Sequence, residues 1–336
     1  MLNLGVIGTN WISDSFCEAA IESKKYKVIS VLSRTLENAV EFGKKYSLKY
    51  CETSMEDFLK IEEMNVVYIA TPNSIHYEQA LSVIKAGKHV IVEKPAFSNP
   101  YEMKEIIKTA TENNVCFFEA ARHIHEENFK LVKEQIKKLG AIKGANLSYM
   151  KYSSRYDYVL EGKEPNIFSP KYSGGSIMDL GVYLVYASLE WFGIPKEYHY
   201  FAKLISTKVD GIGIIIFRYD SFDIIMQTGK IAQSFLSNEI YGCQKTLILD
   251  SMNDITSIEV YDIKNNNSTQ YAKKNQKNNM SDEVNAFADI INNMDNVEYI
   301  ERYNQLLNLA LNVNKIVTEL RMEVGVRFDS DNKINL

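Results

Sequence analysis

Residues 2–16 read LNLGVIGTNWISDSF, and this stretch decides the fold of the N-terminal half. The apolar run 2–8 predicts a buried strand, and the residues from Asn10 to about Ser23 predict a helix with apolar side chains close to one face. A strand that turns at glycine into a helix is typical of dinucleotide-binding domains, because the pyrophosphate lies at the helix N-terminus. A plain strand–turn–helix unit has a similar sequence, so the context of this unit matters.

The turn itself departs from the pattern G-x-G-x-x-G. Asn10 stands where the second glycine would be, and asparagine tolerates a positive φ better than most residues. Ser13 is small enough for close packing of the helix on the strand. We predict that a cofactor contacts this turn through five consecutive residues, Gly8, Thr9, Asn10, Trp11 and Ile12.

The next hundred residues repeat the alternation of strand and helix. Further apolar strands are predicted at 27–33, 65–71, 88–93 and 114–120. Amphipathic helices are predicted between and around them at 36–46, 55–60, 75–86 and 100–113. Continuous apolar strands that alternate with such helices predict an α/β fold, a doubly wound parallel sheet of the Rossmann type.

The pattern changes after Arg122. Strands with a period of two residues are predicted at 145–153, 197–205, 211–219, 222–229, 237–243 and 245–250. Helices are predicted at 126–139, 175–191, 282–293 and 299–321, and the Asn/Lys-rich stretch 264–280 is predicted to be a solvated loop. We therefore predict a Rossmann domain over 1–121 and, over 122–336, an α+β domain with a mostly antiparallel open sheet.

The composition restricts the class of protein. Hydrophobic residues make up 46% of the 336 residues and charged residues 24%, which is typical of globular domains. The net charge of −5 disfavours a nucleic-acid partner, and no apolar run reaches the roughly 18 residues of a membrane span. The N-terminus enters a strand without a signal-peptide pattern, so we expect a cytoplasmic protein. The four cysteines form no CxxC pair, and His123 and His125 are poorly spaced for a shared ion, so we expect no metal site.

The end of the second strand carries Ser33 and Arg34, about 25 residues after Gly8. An acidic residue at this point binds the ribose hydroxyl of NAD and repels a 2′-phosphate, but positions 32–34 hold none. Arginine beside a hydroxyl suits a dianionic phosphate. Ser33 and Arg34 therefore favour NADP(H) over NAD, and the alternative is that Arg34 is only a solvated loop residue.

The tips of two further strands carry polar residues. One strand ends at Ala70-Thr71-Pro72-Asn73, followed by His76, and the next ends at Glu93-Lys94-Pro95. Carboxyl ends of parallel strands are where open α/β sheets bind ligands. A lysine between a strand end and a proline is held on a rigid corner, so its ammonium can point at a bound substrate. We predict cofactor contacts along these tips and at the start of the second domain, from Ala70, Thr71, Pro72, Asn73, His76, Glu93, Lys94 and Arg122.

Three motifs together, ATPNSIH (70–76), VEKP (92–95) and GGSIMDLGVY (174–183), resemble the glucose–fructose oxidoreductase / inositol dehydrogenase (Gfo/Idh/MocA) family. The resemblance runs over nearly the whole chain. It implies that Lys94 assists hydride transfer between NAD(P) and a sugar-like carbonyl or alcohol, and that Asp179 contacts the substrate. It also implies a homodimer or homotetramer that associates through the open sheet of the second domain.

Tyr183 stands where the family often has a histidine. This departure is similar to the branch that contains dihydrodiol dehydrogenase and NADP-dependent sugar reductases, and it weakens the analogy to inositol dehydrogenase. Asp179 and Tyr183 are four residues apart and would share a helix face. An ammonium such as that of Lys94 would lower the pKa of a nearby phenol, so Tyr183 could transfer a proton during the reaction. The alternative is a core tyrosine whose hydroxyl is satisfied locally.

Other polar residues are candidates for the same site. Arg155 and Asp157, in YSSRYDY (152–158), would bind a polyol or an acidic group, or belong to a solvated loop. Glu119 and Arg122 would touch cofactor or substrate, or form a structural ion pair.

These residues predict an NADP(H)-dependent oxidoreductase that acts on a sugar, a sugar derivative or a trans-dihydrodiol, with Lys94, Tyr183 and Asp179 as catalytic residues. Two alternatives stay open. One is a non-catalytic NAD(P)-binding sensor or scaffold, since fold alone does not determine function. The other is an NAD-dependent glycoside-cleaving enzyme of the same fold.

Overall fold

A computed structural model describes residues 1–333 of the chain. These residues form two compact units. The first contains residues 1–122 and 276–311, and the second contains 123–275 and the described part of 312–336.

The first unit is built on a six-stranded parallel sheet with the order β3-β2-β1-β4-β5-β6. Its strands are β1 (Leu2–Ile7), β2 (Tyr26–Leu32), β3 (Tyr50–Glu52), β4 (Val66–Ile69), β5 (His89–Glu93) and β6 (Phe117–Ala120). The helices that connect them are α1 (Trp11–Glu22), α2 (Leu36–Tyr46), α3 (Met55–Leu59), α4 (His76–Lys85) and α5 (Pro100–Glu112). This is the predicted Rossmann-type sheet, with the short edge strand β3 added.

Both faces of this sheet are buried, which explains why its strands are apolar at nearly every position. On one face, Val6 and Tyr68 lie in a cluster with Phe16 of α1. On the other face, Ile69 and Val92 lie in a second cluster that includes the helices α3, α4 and α5. Helices on both faces make the sheet doubly wound, as predicted.

The chain returns to the first unit through α9 (Ser281–Asn292) and the first part of α10 (Val297–Glu323). The predicted second domain, 122–336, includes this segment, whereas residues 276–311 cluster with the first unit in the structure. Phe287 of α9 stacks on Phe118 of β6 with ring centroids 4.7 Å apart, and the hydroxyl of Tyr303 accepts the amide proton of Phe117 at 3.0 Å. The apolar face of α9 therefore completes the core of the Rossmann unit.

The second unit is built on an eight-stranded sheet with the order β14-β13-β12-β11-β7-β10-β9-β8. The strands are β7 (Gly144–Met150), β8 (Glu197–Leu204), β9 (Asp210–Arg218), β10 (Asp223–Gly229), β11 (Asn238–Tyr241), β12 (Lys245–Leu249), β13 (Ile258–Asp262) and β14 (Asn267–Gln270). Its α-helices before α9 are α6 (Glu127–Lys138), α7 (Tyr156–Leu160) and α8 (Val182–Phe192). All neighbouring pairs are antiparallel except β7 with β10, which confirms the prediction of a mostly antiparallel sheet.

Two features of this unit differ from the sequence-based prediction. The stretch 264–280, predicted as a loop, contains β14, whose four residues are all exposed at the sheet edge. The predicted helix 175–191 begins as a π-helical turn, Ile177–Gly181, and becomes α-helical only at Val182. Every helix within residues 1–333 is too short or too polar to cross a bilayer.

Candidate active site

The turn after β1 brings two strand tips into close contact. Gly8 has a φ of +106°, and a Cβ built there would lie 2.8 Å from the carbonyl oxygen of Ala70. Only glycine fits this conformation and this spacing. The backbone at Gly8 therefore makes the close approach that a dinucleotide-binding turn requires.

Asn10 supports the same turn, but not through a positive φ. Its φ of −89° and ψ of 175° are extended, so the expectation drawn from its tolerance of φ > 0 is wrong. The side chain instead caps α1: Oδ1 accepts the amide protons of Ile12 at 2.9 Å and Ser13 at 3.1 Å, and Nδ2 donates to the carbonyl of Ala70 at 2.6 Å. The first intrahelical bond runs from Asp14 N to Asn10 O, so the amides of Asn10 and Trp11 lie ahead of the helical ladder.

The side chains around this turn are accessible. Trp11 is 74% exposed, and Thr9 and Ile12 are half-buried. Ser33 and Arg34 directly follow β2, next to β1 in the sheet, and Arg34 is exposed. Within residues 1–333 Arg34 has no ion-pair partner, so its guanidinium is available to a ligand.

The tip of β4 is held by a buried histidine. His76 is fully buried at the start of α4, with Nε2 2.8 Å from the carbonyl oxygen of Thr71 and Nδ1 3.1 Å from that of Ala96. Burial lowers its pKa to about 4, although the hydrogen bonds to these main-chain carbonyls oppose that shift. Both ring nitrogens lie against main-chain carbonyls, so His76 links the tips of β4 and β5 instead of offering a nitrogen to a cofactor.

The β4 tip also orders its own polar side chains. The hydroxyl of Thr71 donates to Gln79 of α4 at 2.6 Å, and Pro72 precedes a single 3₁₀ turn, Asn73–Ile75. The segment from Ala70 to Asn73 therefore has a defined conformation at the carboxyl edge of the sheet.

The tip of β5 carries Glu93 and Lys94, followed by a cis peptide bond to Pro95. Burial raises the pKa of Glu93 to about 7, while the charges of Lys94 and Arg122 and the Tyr68 hydroxyl, 3.3 Å away, oppose that shift. Lys94 and Arg122 are partly buried. The corner is braced from β6, because the carboxylate of Glu119 accepts the amide proton of Ala96 at 2.9 Å. Glu119 thus supports the main chain beside Lys94.

The strands β2, β1, β4, β5 and β6 are consecutive neighbours in the sheet. Their carboxyl ends bring the sequence-predicted cofactor residues of this unit to one edge. At this edge, amides of a helix N-terminus, an exposed arginine and a lysine are the groups that would meet a dinucleotide.

The second unit carries the other predicted catalytic residues. Asp179 lies in the π-helical turn and Tyr183 in the first turn of α8. Such turns are frequent at functional sites. Tyr183 is only 7% exposed, and its ring contacts those of His123 and Tyr149 with centroid distances of 4.6 and 5.3 Å.

Gly175, which precedes this turn, is required by the backbone conformation and by the space available. Gly175 has a φ of +128°, and a Cβ there would lie 2.3 Å from Oδ1 of the buried Asp210. Asp210 accepts the amide proton of Ile177 and the hydroxyl proton of Tyr200, each at 2.7 Å. The start of the turn is thereby tied to β8 and β9, which determines the position of Asp179.

Lys230 is a residue that the sequence analysis missed. It follows β10, its side chain is 2% exposed, and its ammonium forms an ion pair with Asp179. A lysine after an alternating strand has the same local pattern as a surface lysine, so no signal in the sequence distinguished it.

Two predicted substrate residues lie on the surface of the second unit. Arg155 and Asp157 are exposed at the start of α7, and Asp157 accepts the hydroxyl proton of Tyr152 at 2.5 Å. Their role in substrate binding stays a prediction. Within the described residues, no group of three or more His, Cys, Asp or Glu side chains is arranged to hold a metal ion.

Known proteins resemble this chain over its whole length. A family model described as the oxidoreductase family with an NAD-binding Rossmann fold (Gfo/Idh/MocA) matches residues 2–121. The uncharacterized oxidoreductase YgjR of Escherichia coli (strain K12) is 34% identical over 331 residues, which are 98% of this chain and 99% of the relative. The NADP(+)-dependent scyllo-inositol 2-dehydrogenase IolU of Bacillus subtilis (strain 168) is 33% identical over 331 residues, which are again 98% of this chain and 99% of the relative.

Among solved structures, the 3-ketoreductase KijD10 of Actinomadura kijaniata, in complex with NADP and TDP-benzene, has the same fold. The TM-score is 0.80 at 17% identity, with 96% of this chain and 97% of that chain covered. Tyr183 is expected to weaken the analogy to inositol dehydrogenase, and IolU, a relative named for scyllo-inositol, matches the chain over 98% of its length.

Proposed function

Because this chain belongs to the Gfo/Idh/MocA family of NAD(P)-binding oxidoreductases, we propose that it is an NADP(H)-dependent dehydrogenase or reductase of sugar-like substrates. The reacting group is a carbonyl or alcohol of a sugar, a sugar derivative or a related cyclic diol or polyol. The observation that carries the proposal is the arrangement of Gly8, Arg34 and Lys94 at the carboxyl edge of one parallel sheet.

The residues present fit a dinucleotide. Gly8 has no side chain where the backbone passes the β4 tip, and the amides of Asn10 and Trp11 lie ahead of the α1 ladder, where a pyrophosphate is favourably bound. Arg34 is exposed after β2, where a guanidinium would meet a 2′-phosphate. NADP(H) is therefore the cofactor we propose, and NAD is the weaker alternative.

The nicotinamide, when bound, supplies or accepts the hydride. In our proposal Lys94 donates a hydrogen bond to the reacting oxygen, which stabilises negative charge as it develops there. Tyr183 donates a proton to that oxygen during reduction or accepts one during oxidation. Asp179 accepts hydrogen bonds from substrate hydroxyls and so orients the ring.

Two arguments support this substrate class: the hydrogen-bond acceptor Asp179 and the name of the relative IolU. Asp179 is a carboxylate that is 37% exposed, and a carboxylate suits hydroxyl donors. IolU is named for scyllo-inositol, a ring polyol, and it matches this chain from end to end. A ring with several neighbouring hydroxyls is therefore the substrate we would try first.

The cofactor proposal is tested by titrating the protein with NADPH and NADH while following tryptophan fluorescence. The chain has two tryptophans, and Trp11 is 74% exposed beside the proposed pyrophosphate turn, whereas Trp191 is buried. We expect NADPH to bind more tightly than NADH. Arg34→Ala should weaken NADPH binding about tenfold or more and leave NADH binding nearly unchanged, because it removes a charge-assisted hydrogen bond to the 2′-phosphate.

Lys44→Ala is the matched control, since Lys44 is an exposed cation at the other end of α2. It should change neither affinity by more than a small factor. Equal affinities for the two cofactors, unchanged by Arg34→Ala, would contradict the NADP assignment.

Activity is tested with a panel of neutral ring polyols, beginning with scyllo-inositol and NADP⁺. Lys94→Met should lower kcat about a hundredfold or more while NADPH still binds. Lys85→Met, at an exposed lysine of α4, should behave as wild type. NADPH binding without turnover of any polyol would favour the sensor or scaffold, and NAD released only on denaturation would favour glycoside cleavage.

A further inference from the structure

A buried lysine lies at the end of β10. The backbone of Lys230 is held on both sides, because its amide donates to Gly211 O at 2.8 Å and its carbonyl accepts from Ser153 N at 2.9 Å. Its side chain is 2% exposed, although a lysine is almost never fully buried unless it is paired. The position of this ammonium therefore needs a reason.

The contacts of the ammonium supply one. It forms an ion pair with Oδ2 of Asp179 and lies 4.9 Å from the ring centroid of the buried Phe168, within the range of a cation–π interaction. The pair is asymmetric: the carboxylate is 37% exposed and the ammonium 2%. A ligand that approaches this pair would meet the carboxylate and would have almost no access to the ammonium.

The main chain at Asp179 is fixed independently. Asp210 accepts from Ile177 N at 2.7 Å, and the hydroxyls of Ser176 and Thr228 are 2.8 Å apart. The turn thus has hydrogen bonds besides the Lys230 ion pair, although the charge of Lys230 also acts on Asp210, where it opposes the rise in pKa that burial causes. What Lys230 holds in place is the Asp179 side chain, through the ion pair.

We propose that Lys230 is a positioning residue that holds the Asp179 carboxylate in place as the hydrogen-bond acceptor for substrate hydroxyls. Oδ2 is engaged by the ammonium, and the carboxylate, which is 37% exposed, is the group that would accept a substrate hydroxyl. This inference rests on the proposed function, because it assigns Asp179 to substrate binding.

The kinetic test compares Lys230→Met, which keeps the length of the side chain but removes the charge, with wild type and with Lys230→Arg. We expect Lys230→Met to raise KM for the neutral polyol about tenfold or more, with a smaller change in kcat, because binding of a hydroxyl to a charged acceptor is weakened. Lys230→Arg should recover part of the loss. NADPH affinity should not change in either variant.

A double-mutant cycle separates positioning from general stability. If Lys230 acts through Asp179, Lys230→Met should raise KM much less in an Asp179→Asn background than in wild type. If the Asp179→Asn single variant leaves a buried charge and does not fold, the cycle cannot be completed, and the KM comparison of Lys230→Met with Lys230→Arg decides. Additive losses of the two changes would overturn the proposal.

An independent measurement needs no turnover. In protein labelled with ¹³C at the aspartate carboxyl carbons, the Asp179 signal is identified by its loss in Asp179→Asn, which also distinguishes it from Asp210. Lys230→Met should move the Asp179 titration to higher pH. An unchanged titration together with an unchanged KM overturns the role of Lys230. If wild type turns over no polyol, the proposed function fails, and the Asp179 titration alone decides whether the Lys230 ammonium acts on this carboxylate.

Discussion

Glu93 precedes the lysine of the proposed active site and has an environment that is unusual for an acid. Burial raises its pKa from 4.5 to about 7, although the charges of Lys94 and Arg122 oppose the shift. Tyr68, which donates a hydrogen bond to this carboxyl, is fully buried. The folded state therefore binds a proton at Glu93 more tightly than the unfolded chain does.

This shift predicts a pH dependence of stability. Because the folded pKa is higher than the unfolded one, the native state loses stability as the pH rises from about 4.5 to about 7. Glu93→Gln removes this titration, so the free energy of unfolding of the variant relative to wild type should increase by roughly 2 kcal/mol between pH 5 and pH 8. Urea unfolding at several pH values measures it. The exposed Glu41→Gln is the control, and a constant difference between Glu93→Gln and wild type would contradict the prediction.

At single positions, the sequence was informative where backbone geometry restricts the residue type. Gly8 and Lys94 were identified because a tight turn and a rigid corner at a strand end have recognisable neighbours. Asn10 was identified for a different reason from the one the structure gives, since its side chain caps α1 and bonds to Ala70. Lys230 was not identified, because its ion-pair partner Asp179 lies 51 residues away in the chain.

At the scale of elements, the junction of β1, α1 and β4 depends on one side chain. Asn10 satisfies two amides of α1 and also donates to the carbonyl of Ala70. Asn10→Ala should therefore lower the free energy of unfolding by about 1–2 kcal/mol and weaken NADPH binding, because the helix N-terminus loses both its cap and its link to β4.

Asn10→Ser separates the two effects. Serine retains a capping oxygen but loses the bond to Ala70, so this variant should be nearly as stable as wild type and still bind NADPH less tightly. Urea unfolding and the NADPH titration measure the two quantities. Equal stability of Asn10→Ala and wild type would show that the cap contributes little.

Helices and strands could be predicted where the spacing of their apolar residues follows the period of a helix or a strand. The longer strands and helices of the Rossmann unit agree with their apolar patterns to within a few residues. The three-residue strand β3 and the exposed strand β14 have no such pattern, because they bury few side chains. The π-helical turn at Asp179 was also missed, since its hydrogen bonds depend on Asp210 and on the glycines that admit it.

At the scale of the whole molecule, the return of the chain to the first unit at residues 276–311 could not be predicted from the sequence. The amphipathic pattern of α9 predicts a buried face but not the sheet that it covers. Val284 and Phe287 join the core of the first unit, and α10 runs on into the second unit. Phe118 and Phe287, whose rings stack, are 169 positions apart in the chain, and a contact over such a separation leaves no local signal in one sequence.

The outward face of β8, β9 and β10 predicts self-association. Phe201 and Ile214 are directly paired across β8 and β9, and Ile225 of β10 lies on the same face, with exposed fractions of 62%, 43% and 46%. Contiguous apolar side chains on adjacent strands are uncommon on the free surface of a monomer. We expect this face to bind the same face of a second copy, in a homodimer or within a homotetramer, because isologous contacts between identical surfaces are the commonest in oligomers.

The double change Phe201→Lys and Ile214→Lys should therefore convert the protein to a monomer. In a two-fold contact the two copies would together bring four lysine charges into the interface, where they would lose water without gaining partners. Light scattering after size exclusion measures the mass of wild type and variant at the same micromolar concentration. Leu160→Lys is the control, because Leu160 is 68% exposed on α7 of the same unit. The sheet face is not the contact if the double variant keeps the wild-type mass, or if wild type is itself monomeric. NADPH binding should be retained in the monomeric variant, because the proposed cofactor residues belong to the first unit.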